Sequence, residues 1–326
     1  MEQEYKATTV GIVGAGSWGT ALAVALARPS RPVRLWGRDG AAAARMRATR
    51  QNERHLPGVV LPASVEVVES FEAAAAPVLL LAVPAQAVAG LVAPLRGRTE
   101  PLLLCAKGID RASGRLLGEI VEAALPGARV GALSGPSFAR EVAVGLPTAL
   151  TLAMPDQGEA AGLAARLGGG TLRLYPSDDR TGVETGGALK NVIAIAAGIV
   201  MGQGLGENAR AALVTRGLAE IVRLGIRLGA RPETLMGLSG LGDLMLTATS
   251  TTSRNTRLGL ALGRGQPPPQ DLSEGAFTAE AALRLARTHG VDLPITGAVA
   301  RILKGDLAVE DATALLLARP PPAAEL

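Results

Sequence analysis

A glycine-rich turn near the N-terminus constrains the fold of this chain more than any other feature. Thr9–Val13 is a short run rich in β-branched residues, which predicts a strand, and Thr20–Ala27 is rich in alanine and leucine, which predicts a helix. Between them lie Gly14, Gly16 and Gly19 in a G-x-G-x-x-G pattern. In a strand–turn–helix unit the first glycine permits the turn, the second leaves room for a pyrophosphate and the third lets helix and strand pack closely. Because the helix N-terminus offers free N–H groups to phosphates, we predict that this turn binds a dinucleotide.

The rest of the N-terminal half alternates between strand and helix patterns. Helical patterns lie between most of the strands, for example Gly114–Leu125 and Gly158–Leu167. The further predicted strands are Val33–Trp36, Val78–Val83, Leu102–Ala106, Arg129–Leu133, Thr148–Leu152 and Leu172–Tyr175. Such alternation predicts an α/β domain with a parallel, doubly wound, Rossmann-type sheet.

The pattern changes after about Tyr175, and from Gly182 onward no segment resembles a strand. The predicted helices are Gly182–Met201, Asn208–Leu228, Arg254–Leu262, Thr278–His289 and Leu307–Leu317. We therefore predict a dinucleotide-binding Rossmann-type domain over residues 1–181 and an all-helical, substrate-binding and catalytic C-terminal domain over 182–326. The proline- and alanine-rich tail Arg319–Leu326 is expected to fray.

Composition and targeting signals indicate a cytoplasmic, two-domain protein. The 326 residues suffice for two domains, and the single cysteine, Cys105, excludes an intrachain disulfide and suits a reducing compartment. Residues 1–6 lack the basic and apolar regions of a secretory signal. The apolar stretches Pro77–Leu95 and Ala188–Met201 are interrupted by prolines or by Lys190 and Asn191, so no membrane span is predicted.

The charge pattern favours a small anionic ligand over nucleic acid. The net charge is +4, the basic residues are scattered, and only 2 % of residues are aromatic, whereas nucleic-acid binders typically combine a basic stripe with stacking aromatics. Of 33 basic residues only four are lysines, at positions 6, 107, 190 and 304. Since a lysine can be tuned to exchange a proton and an arginine cannot, each lysine is a candidate for chemistry.

The end of the second predicted strand bears on the choice of cofactor. An acidic residue there would bind the ribose 2′-hydroxyl of NAD, but Gly37 and Arg38 come first, and Arg38 could pair with the 2′-phosphate of NADP. Asp39 follows directly. The sequence therefore leaves NAD and NADP both open, and a solvated Arg38 remains the alternative.

Two lysines and one aspartate are candidates for catalysis. Lys190 stands in a helix that is apolar nearly all round, where a buried ammonium is costly unless it is paired or deprotonated. Lys107 follows a strand whose carboxyl end should line the ligand crevice, although a solvated loop charge is the alternative. Asp243 either caps a helix or positions the lysine ammonium and binds the substrate hydroxyl. Oxidation of a secondary alcohol needs a base that accepts the proton and a dinucleotide that accepts the hydride. A lysine of lowered pKa could be that base, and its ammonium could stabilise the alkoxide in the reverse reaction.

The segment Ser253-Arg254-Asn255 precedes the helical pattern Thr256–Leu262. A helix N-terminus with a guanidinium and small polar donors favours a phosphate, although Ser253 could be a plain cap with Arg254 in solvent. The only histidines, His55 and His289, lie outside the glycine-rich segments 107–108, 135–141, 187–191 and 237–243. Their position disfavours a histidine-based dehydrogenase. We predict no metal site.

Seven segments, in order and spanning about residues 9–305, closely resemble the bacterial NAD(P)-dependent glycerol-3-phosphate dehydrogenase family. They are GAGSWGTALA (14–23), KG (107–108), GPSFARE (135–141), GALKN (187–191), NARAALVTRGL (208–218), GLSGLGDL (237–244) and SRN (253–255). The resemblance implies a Rossmann-type domain and a helical domain with the substrate between them, the use of NAD or NADP, and ketone reduction that supplies glycerol 3-phosphate for phospholipid synthesis. It also allows a homodimer.

The resemblance implies a role for each matched residue. Lys190 would exchange the proton at the C2 oxygen, with Asp243 and Lys107 beside it in the catalytic set. The substrate would be held by Lys107, Gly135, Ser137, Lys190, Asp243, Ser253, Arg254 and Asn255. The dinucleotide would be contacted by Ser17, Trp18, Arg38, Lys107, Ala139, Arg254 and Glu274.

The chain departs from the family pattern at three places. His55 stands before Leu56-Pro57 where the family usually has an aromatic, and Leu272-Ser273 replaces a Val-Val pair before Glu274-Gly275. These changes leave cofactor contacts of His55 and Leu272 open. The short proline-rich loop 266–270 is expected to stiffen the approach to the cofactor.

Two other functions remain as alternatives to a glycerol-3-phosphate dehydrogenase. One is another two-domain dehydrogenase, of the hydroxyacid or 6-phosphogluconate type, and the other is a non-catalytic dinucleotide sensor.

Overall fold

The structure is a computed structural model that describes residues 9–269 and 273–317. The predictions for residues 1–6, Leu272 and the tail Arg319–Leu326 lie outside the described residues. The chain divides into two compact units. The sheet unit takes the chain through Ala106 and again Leu117–Arg180, and the helical unit takes Lys107–Leu116 and the chain from Thr181 onward. Lys107–Leu116 thus packs with the helices, whereas the sequence predicts a single boundary between 181 and 182.

The sheet unit contains ten strands and five helices among its described residues. The strands are β1 (Val10–Val13), β2 (Val33–Trp36), β3 (Gln51–Asn52), β4 (Leu56–Val60), β5 (Val65–Val67), β6 (Val78–Leu81), β7 (Leu102–Leu104), β8 (Val130–Ser134), β9 (Thr148–Ala153) and β10 (Leu172–Ser177). The helices are α1 (Ser17–Leu26), α2 (Gly40–Thr49), α3 (Leu117–Ala124), α4 (Ala139–Ala143) and α5 (Gln157–Leu167).

Eight strands form one sheet in the order β10-β9-β8-β7-β6-β1-β2-β5, while β3 and β4 form a separate antiparallel pair. Alternate residues of the central strands enter different apolar clusters. Ile12 and Leu80 join a cluster with α1, α2 and α5, and Leu79 and Leu81 join one with α3. Because side chains alternate across a strand, both faces of the sheet are covered, as the prediction of a doubly wound sheet requires.

Three features of the sheet unit differ from the predicted pattern. Strands β8 and β9 pair antiparallel, although every other pairing in the eight-stranded sheet is parallel. The link from β6 to β7 consists of three short 3₁₀ turns rather than a helix. The helix and three strands between residues 40 and 67 were not predicted, since β3 and β5 are only two and three residues long.

The helical unit contains no strand from residue 181 onward among the described residues, as predicted. Its elements are α6 (Arg180–Gly202), α7 (Gly206–Arg227), α8 (Pro232–Leu235), a π-helical turn (Leu238–Gly242), α9 (Asp243–Thr249), α10 (Arg254–Gly263), α11 (Glu274–Thr288), α12 (Pro294–Lys304) and α13 (Val309–Leu317). Helix α12 was missed by the sequence analysis. The carboxylate of Glu220, on α7, accepts the backbone N–H groups of Ile295 (2.5 Å) and Thr296 (3.1 Å), so the cap of α12 comes from a distant part of the chain.

Helix α6 is the centre of the helical unit. Every residue from Gly182 to Val200 is buried. Glycines allow α10 to reach its backbone: a Cβ atom on Gly198 would lie 2.3 Å from the carbonyl oxygen of Thr256, and one on Gly259 would lie 2.0 Å from that of Ile195. Backbone-to-backbone packing of this kind brings the start of α10 beside the turn of α6 that carries Lys190 and Asn191.

Within the described part of the chain, α6 is the one helix whose length and composition would suit a membrane span. It has 23 residues, which makes it longer than the apolar stretch Ala188–Met201 recognised in the sequence. Its most apolar window is 89 % buried inside the protein. That burial is typical of a core helix.

Candidate active site

The three fingerprint glycines occupy three different environments. Gly14 has φ +113°, and a Cβ there would lie 2.4 Å from the carbonyl oxygen of Ala82. A Cβ on Gly19 would lie 1.8 Å from the carbonyl oxygen of Gly14, so any side chain would separate α1 from the turn. For Gly16, by contrast, no atom of the described residues beyond its chain neighbours lies within 4 Å of the Cβ position. This space lies at the N-cap of α1, whose first N–H groups have no acceptor within the helix, and it fits the pyrophosphate of a dinucleotide.

A buried asparagine that was not predicted from the sequence supports this turn. Asn52 donates through Nδ2 to the carbonyl oxygen of Ala15 (2.9 Å) and to the hydroxyl of Thr20 (2.8 Å). Its Oδ1 accepts the backbone N–H of His55 at 3.3 Å. Asn52 therefore fixes both the turn and the start of α1. A single asparagine in a segment without a clear local pattern gave no signal that could have identified it.

The residues that follow Gly16 make mainly internal contacts. The Ser17 hydroxyl donates to the carbonyl oxygen of His55 at 2.7 Å. Trp18 packs against apolar clusters of the sheet unit, and its indole nitrogen is buried with no hydrogen-bond partner among the described residues. The Trp18 ring thus serves packing in this structure, and His55 contributes its backbone.

The end of β2 separates the roles of three residues. A Cβ on Gly37 would lie 2.7 Å from the Cβ of Ala15, so the glycine is required by the glycine-rich turn packed against it. Asp39 is the N-cap of α2 and accepts the N–H of Ala42 at 2.9 Å, a bond that lowers the pKa of the Asp39 carboxyl. Arg38 is exposed. One oxygen of the Asp39 carboxylate is therefore engaged in the cap, and both Arg38 and Asp39 are exposed at the end of β2.

The GPSFARE segment follows β8 in the sheet unit. Gly135 has φ +147°, and its carbonyl oxygen accepts the hydroxyl of Ser137 at 3.0 Å. Ala139 is the first residue of the short helix α4, and Arg140 donates to the carbonyl oxygen of Pro57 at 3.0 Å. The turn is thus held by its own hydrogen bonds and by the segment beside the glycine-rich turn.

Three predicted catalytic residues meet in the helical unit. The Lys190 ammonium donates to Oδ1 of Asp243 at 2.5 Å, and the Lys107 ammonium donates to Oδ2 of the same carboxylate at 2.6 Å. Asp243 is fully buried at the start of α9, and Lys190 is 7 % exposed on α6. One carboxylate therefore bridges two ammonium groups, and the alternative in which Asp243 only caps a helix does not describe its side chain.

A fourth residue, Thr247, completes this cluster and was missed by the sequence analysis. Its hydroxyl oxygen accepts from the Lys190 ammonium at 2.7 Å and lies 3.3 Å from Oδ1 of Asp243, to which it can donate. Thr247 follows Asp243 by four residues on α9. That spacing, which places two side chains on one helix face, was the available signal.

The charges of this cluster shift both of its buried members. Burial and, to a smaller extent, the like charge of Lys107 lower the pKa of Lys190 to about 8, against the attraction of Asp243. Burial alone would raise the pKa of Asp243, but the two ammonium groups outweigh it and hold that pKa below its ordinary value. Lys190 can therefore gain and lose a proton near neutral pH while Asp243 stays ionised.

The start of α10 carries the predicted phosphate residues. Ser253 is the N-cap, and its hydroxyl accepts the N–H of Thr256 at 3.2 Å, while Arg254 is exposed. The Asn255 side chain is engaged inside the unit. It donates to Oδ1 of Asn191 at 2.9 Å and accepts the N–H of Gly275 at 3.0 Å. The groups available to a phosphate at this turn are thus the Arg254 guanidinium and the unsatisfied backbone N–H groups of the first turn.

Glu274 begins α11 directly before Gly275, and a Cβ on Gly275 would lie 2.6 Å from the carbonyl oxygen of Asn191. The Glu274 carboxylate is close enough to Lys190 to favour its charged form. Since Asn191 adjoins Lys190 and Asn255 adjoins Arg254, these contacts join the starts of α10 and α11 to the turn of α6 that carries Lys190. Among the described residues, no group of three or more His, Cys, Asp or Glu side chains is placed to hold a metal ion.

A Rossmann-type sheet with a glycine fingerprint, followed by helices that bury a lysine–aspartate pair, defines a two-domain, dinucleotide-dependent dehydrogenase. The family models of the NAD-dependent glycerol-3-phosphate dehydrogenase N-terminus and C-terminus match residues 9–160 and 179–314. The chain belongs to the NAD-dependent glycerol-3-phosphate dehydrogenase family. This confirms the fold class and the family predicted from the sequence motifs.

Individual relatives agree over nearly the whole chain. It is 53 % identical over 322 residues to a glycerol-3-phosphate dehydrogenase [NAD(P)+] of Methylobacterium radiotolerans, with 96 % of this chain and 97 % of the relative covered. It is 54 % identical to one of Azorhizobium caulinodans, with 95 % and 97 % covered. The crystal structure of glycerol-3-phosphate dehydrogenase from Coxiella burnetii superposes with a TM-score of 0.91 at 40 % identity, over 97 % of this chain and all of that one. D-mandelate dehydrogenase, at 14 % identity and a TM-score of 0.58, shares the fold alone.

Proposed function

We propose that the protein interconverts sn-glycerol 3-phosphate and dihydroxyacetone phosphate by hydride transfer at C2, with NAD or NADP as the cofactor. One observation carries the mechanism: a buried lysine with a pKa of about 8 is held at 2.5 Å from an ionised aspartate. A group that titrates near neutral pH can accept the hydroxyl proton during oxidation and return it during reduction.

In the direction of ketone reduction, C2 gains a hydride and its oxygen gains a proton from the Lys190 ammonium. When bound, the dinucleotide supplies the hydride. Asp243 keeps Lys190 oriented and charged before transfer, and Thr247 fixes the same amine from a second side. Lys107 adds a second positive charge, which stabilises the developing negative charge on the C2 oxygen. In oxidation, neutral Lys190 accepts the proton and the ammonium returns to Asp243.

Most of the cofactor residues are proposed from the geometry of the sheet unit, and three of them belong to the helical unit. Gly14, Gly16 and Gly19 with the first turn of α1 would hold the pyrophosphate, and Arg38 would meet the ribose 2′-substituent. The remaining proposed dinucleotide contacts are Ser17, Trp18, Ala139, Lys107, Arg254 and Glu274. The open Cβ position of Gly16 supports this assignment, because a dinucleotide phosphate needs direct approach to the backbone.

The substrate residues are proposed to come from both parts of the chain. Lys107, Lys190 and Asp243 would contact the reacting carbon and its oxygens. Gly135, Ser137, Ser253, Arg254 and Asn255 would hold the rest of the substrate. Asn255 would act through its backbone, since its side chain is engaged with Asn191 and Gly275. Residues 1–181 would then bind the dinucleotide and 182–326 would carry the catalyst, with Lys107 as the contribution of the first segment to the second.

We further infer a cytoplasmic enzyme, working as a homodimer, that reduces the ketone to supply glycerol 3-phosphate for phospholipid synthesis. The family membership supports this setting.

The test is a direct assay of the purified full chain. Dihydroxyacetone phosphate is mixed with NADH or with NADPH, and the loss of absorbance at the reduced nicotinamide band is followed. Oxidation of at least one cofactor that depends on the substrate is expected, and Lys190→Arg should be nearly inactive because arginine does not release its proton. Absence of turnover with both cofactors would refute the proposal and favour a non-catalytic dinucleotide sensor.

A further inference from the structure

Lys107 reaches the catalytic cluster on a segment that leaves the sheet. After β7 the chain passes through Lys107–Leu116, here called the excursion segment, and then enters α3. Ile109 is fully buried and Leu116 is 2 % exposed, and both belong to the apolar core of the helical unit. The excursion segment is therefore a part of the helical unit supplied by the sheet-forming half of the sequence.

A buried aspartate closes this segment into a tight turn. Oδ2 of Asp110 accepts the backbone N–H and the hydroxyl of Ser113, both at 2.7 Å. Asp110 also donates its N–H to the carbonyl oxygen of Arg115 (3.1 Å) and accepts the N–H of Gly114 (2.8 Å). Gly114 has φ +70°, which a glycine adopts without strain. The carboxylate of Asp110, 8 % exposed, thus fixes a turn three residues from Lys107.

Helix α11 holds the outer side of the same turn. The guanidinium of Arg111 lies over the Phe277 ring, 5.5 Å from its centroid, and Arg284 donates a hydrogen bond to the carbonyl oxygen of Arg111. These contacts are exposed and individually weak. Together with the buried side chains of Ile109 and Leu116, they hold the excursion segment against the rest of the helical unit.

We propose that Asp110 is a positioning residue for catalysis: by closing the excursion segment it keeps the Lys107 ammonium on Asp243. The inference rests on the proposed function. Asp110 touches neither Lys190 nor Asp243, and it acts only by fixing the backbone that carries Lys107. Without the Asp110 bonds, Ser113 loses two hydrogen bonds and the turn gains freedom, so Lys107 spends less time at 2.6 Å from the carboxylate.

The consequence is a change in the titration of Lys190. Three charged groups face Lys190: Asp243 from α9, Lys107 from the excursion segment and Glu274 from the first turn of α11. Lys107 lowers the pKa of Lys190, so its departure raises that pKa and leaves Asp243 more fully to Lys190. Oxidation needs neutral Lys190. The pH at which the oxidation rate reaches half its maximum should therefore move upward when Lys107 is released.

The experiment compares pH profiles of glycerol 3-phosphate oxidation in single turnover, so that slow variants are included. Asp110→Ala is expected to move the inflection upward by about one pH unit, in the direction that Lys107→Met moves it. The double variant should match Lys107→Met alone, because Asp110 acts through Lys107. Asp110→Asn keeps an acceptor for Ser113 and should recover most of the wild-type profile.

The matched control is Asp156→Ala in the sheet unit. Asp156 caps α5 and accepts the N–H of Glu159 at 2.7 Å, so it loses a comparable bond far from the cluster in sequence, and its profile should stay at the wild-type position. If Asp110→Ala does not fold, Ser113→Ala removes the hydroxyl bond alone and should give a smaller upward shift.

An unchanged profile in Asp110→Ala or Ser113→Ala, beside a shifted Lys107→Met, overturns the inference. So does a double variant whose upward pH shift is the sum of the two single shifts. Inactivity of the wild-type protein would be a failure of the proposed function instead, and the two failures are therefore distinguishable.

Discussion

The substitution Asp243→Asn removes one negative charge and almost nothing else from the catalytic cluster. The carboxylate lies 2.5 Å from the Lys190 ammonium in a fully buried site. A unit charge pair at close range is worth about 4 kcal/mol at an effective dielectric constant of 20, which corresponds to about three pKa units. With burial no longer opposed, the pKa of Lys190 should fall well below its present value of about 8. At pH 7 the amine is then neutral, and ketone reduction lacks its proton donor.

Loss of a positioned general acid typically costs about 10²- to 10⁴-fold in rate, so kcat for dihydroxyacetone phosphate reduction should fall by that factor at pH 7. The assay is steady-state reduction under saturating substrate and cofactor, with circular dichroism to check the fold. Glu220→Gln is the matched control, because it neutralises another buried carboxylate of the helical unit without touching Lys190. A folded Asp243→Asn protein with wild-type kcat would refute the electrostatic reasoning.

Three further substitutions test the framework around the site. Glu220→Gln should leave kcat unchanged but lower the free energy of unfolding, measured in urea, by roughly 1–3 kcal/mol. The reason is that an amide nitrogen replaces one of the two oxygens that accept the Ile295 and Thr296 N–H groups. An unchanged unfolding midpoint would contradict this. Asn52→Leu removes the two bonds that fix Ala15 and Thr20, so the Kd for NADH in a fluorescence titration should rise several-fold, and an unaltered Kd would speak against a role for Asn52. Gly259→Ala should lower the melting temperature and raise KM for the phosphorylated substrate, since its Cβ would lie 2.0 Å from a carbonyl oxygen. Gly297→Ala is the control and should be tolerated, since the nearest atom to its Cβ would be 3.9 Å away. Equal effects of the two substitutions would contradict the close packing of α6 against α10.

The sheet was predictable because its central strands are short, apolar runs whose burial on both faces leaves a continuous hydrophobic pattern. All four residues of β1 and of β6 are buried, for example. Strand direction is not encoded locally, and therefore the sequence did not show that β9 and β10 run opposite to the other six strands of the sheet. Helix α12 was missed although Pro294, at its first position, is a local signal for a helix start. Its N-terminal N–H groups are bonded by Glu220, which is remote in sequence, so its cap could not be read locally.

The pairing of Lys190 with an acidic residue was predictable because a lysine inside an apolar helix can be stable in few ways. Burial forces such an amine to find a counter-charge or lose its proton, and Asp243 supplies the charge. Thr247 and Asn52 were harder to foresee, since a threonine or asparagine acquires its role only from the partners that folding brings to it. For Asn255 the sequence motif was more specific than the side chain's actual contacts. Its motif pointed to the substrate, but its side chain bonds to Asn191 and Gly275.

The central claim, that the Lys190 amine transfers the proton at C2, is tested most directly by chemical rescue. Lys190→Ala should reduce dihydroxyacetone phosphate very slowly, and small primary amines added to the assay should restore turnover, with rate constants that follow the basicity of the amine. A Lys190→Ala protein that is as active as wild type would contradict the account, as would a slow variant that no amine of any basicity accelerates.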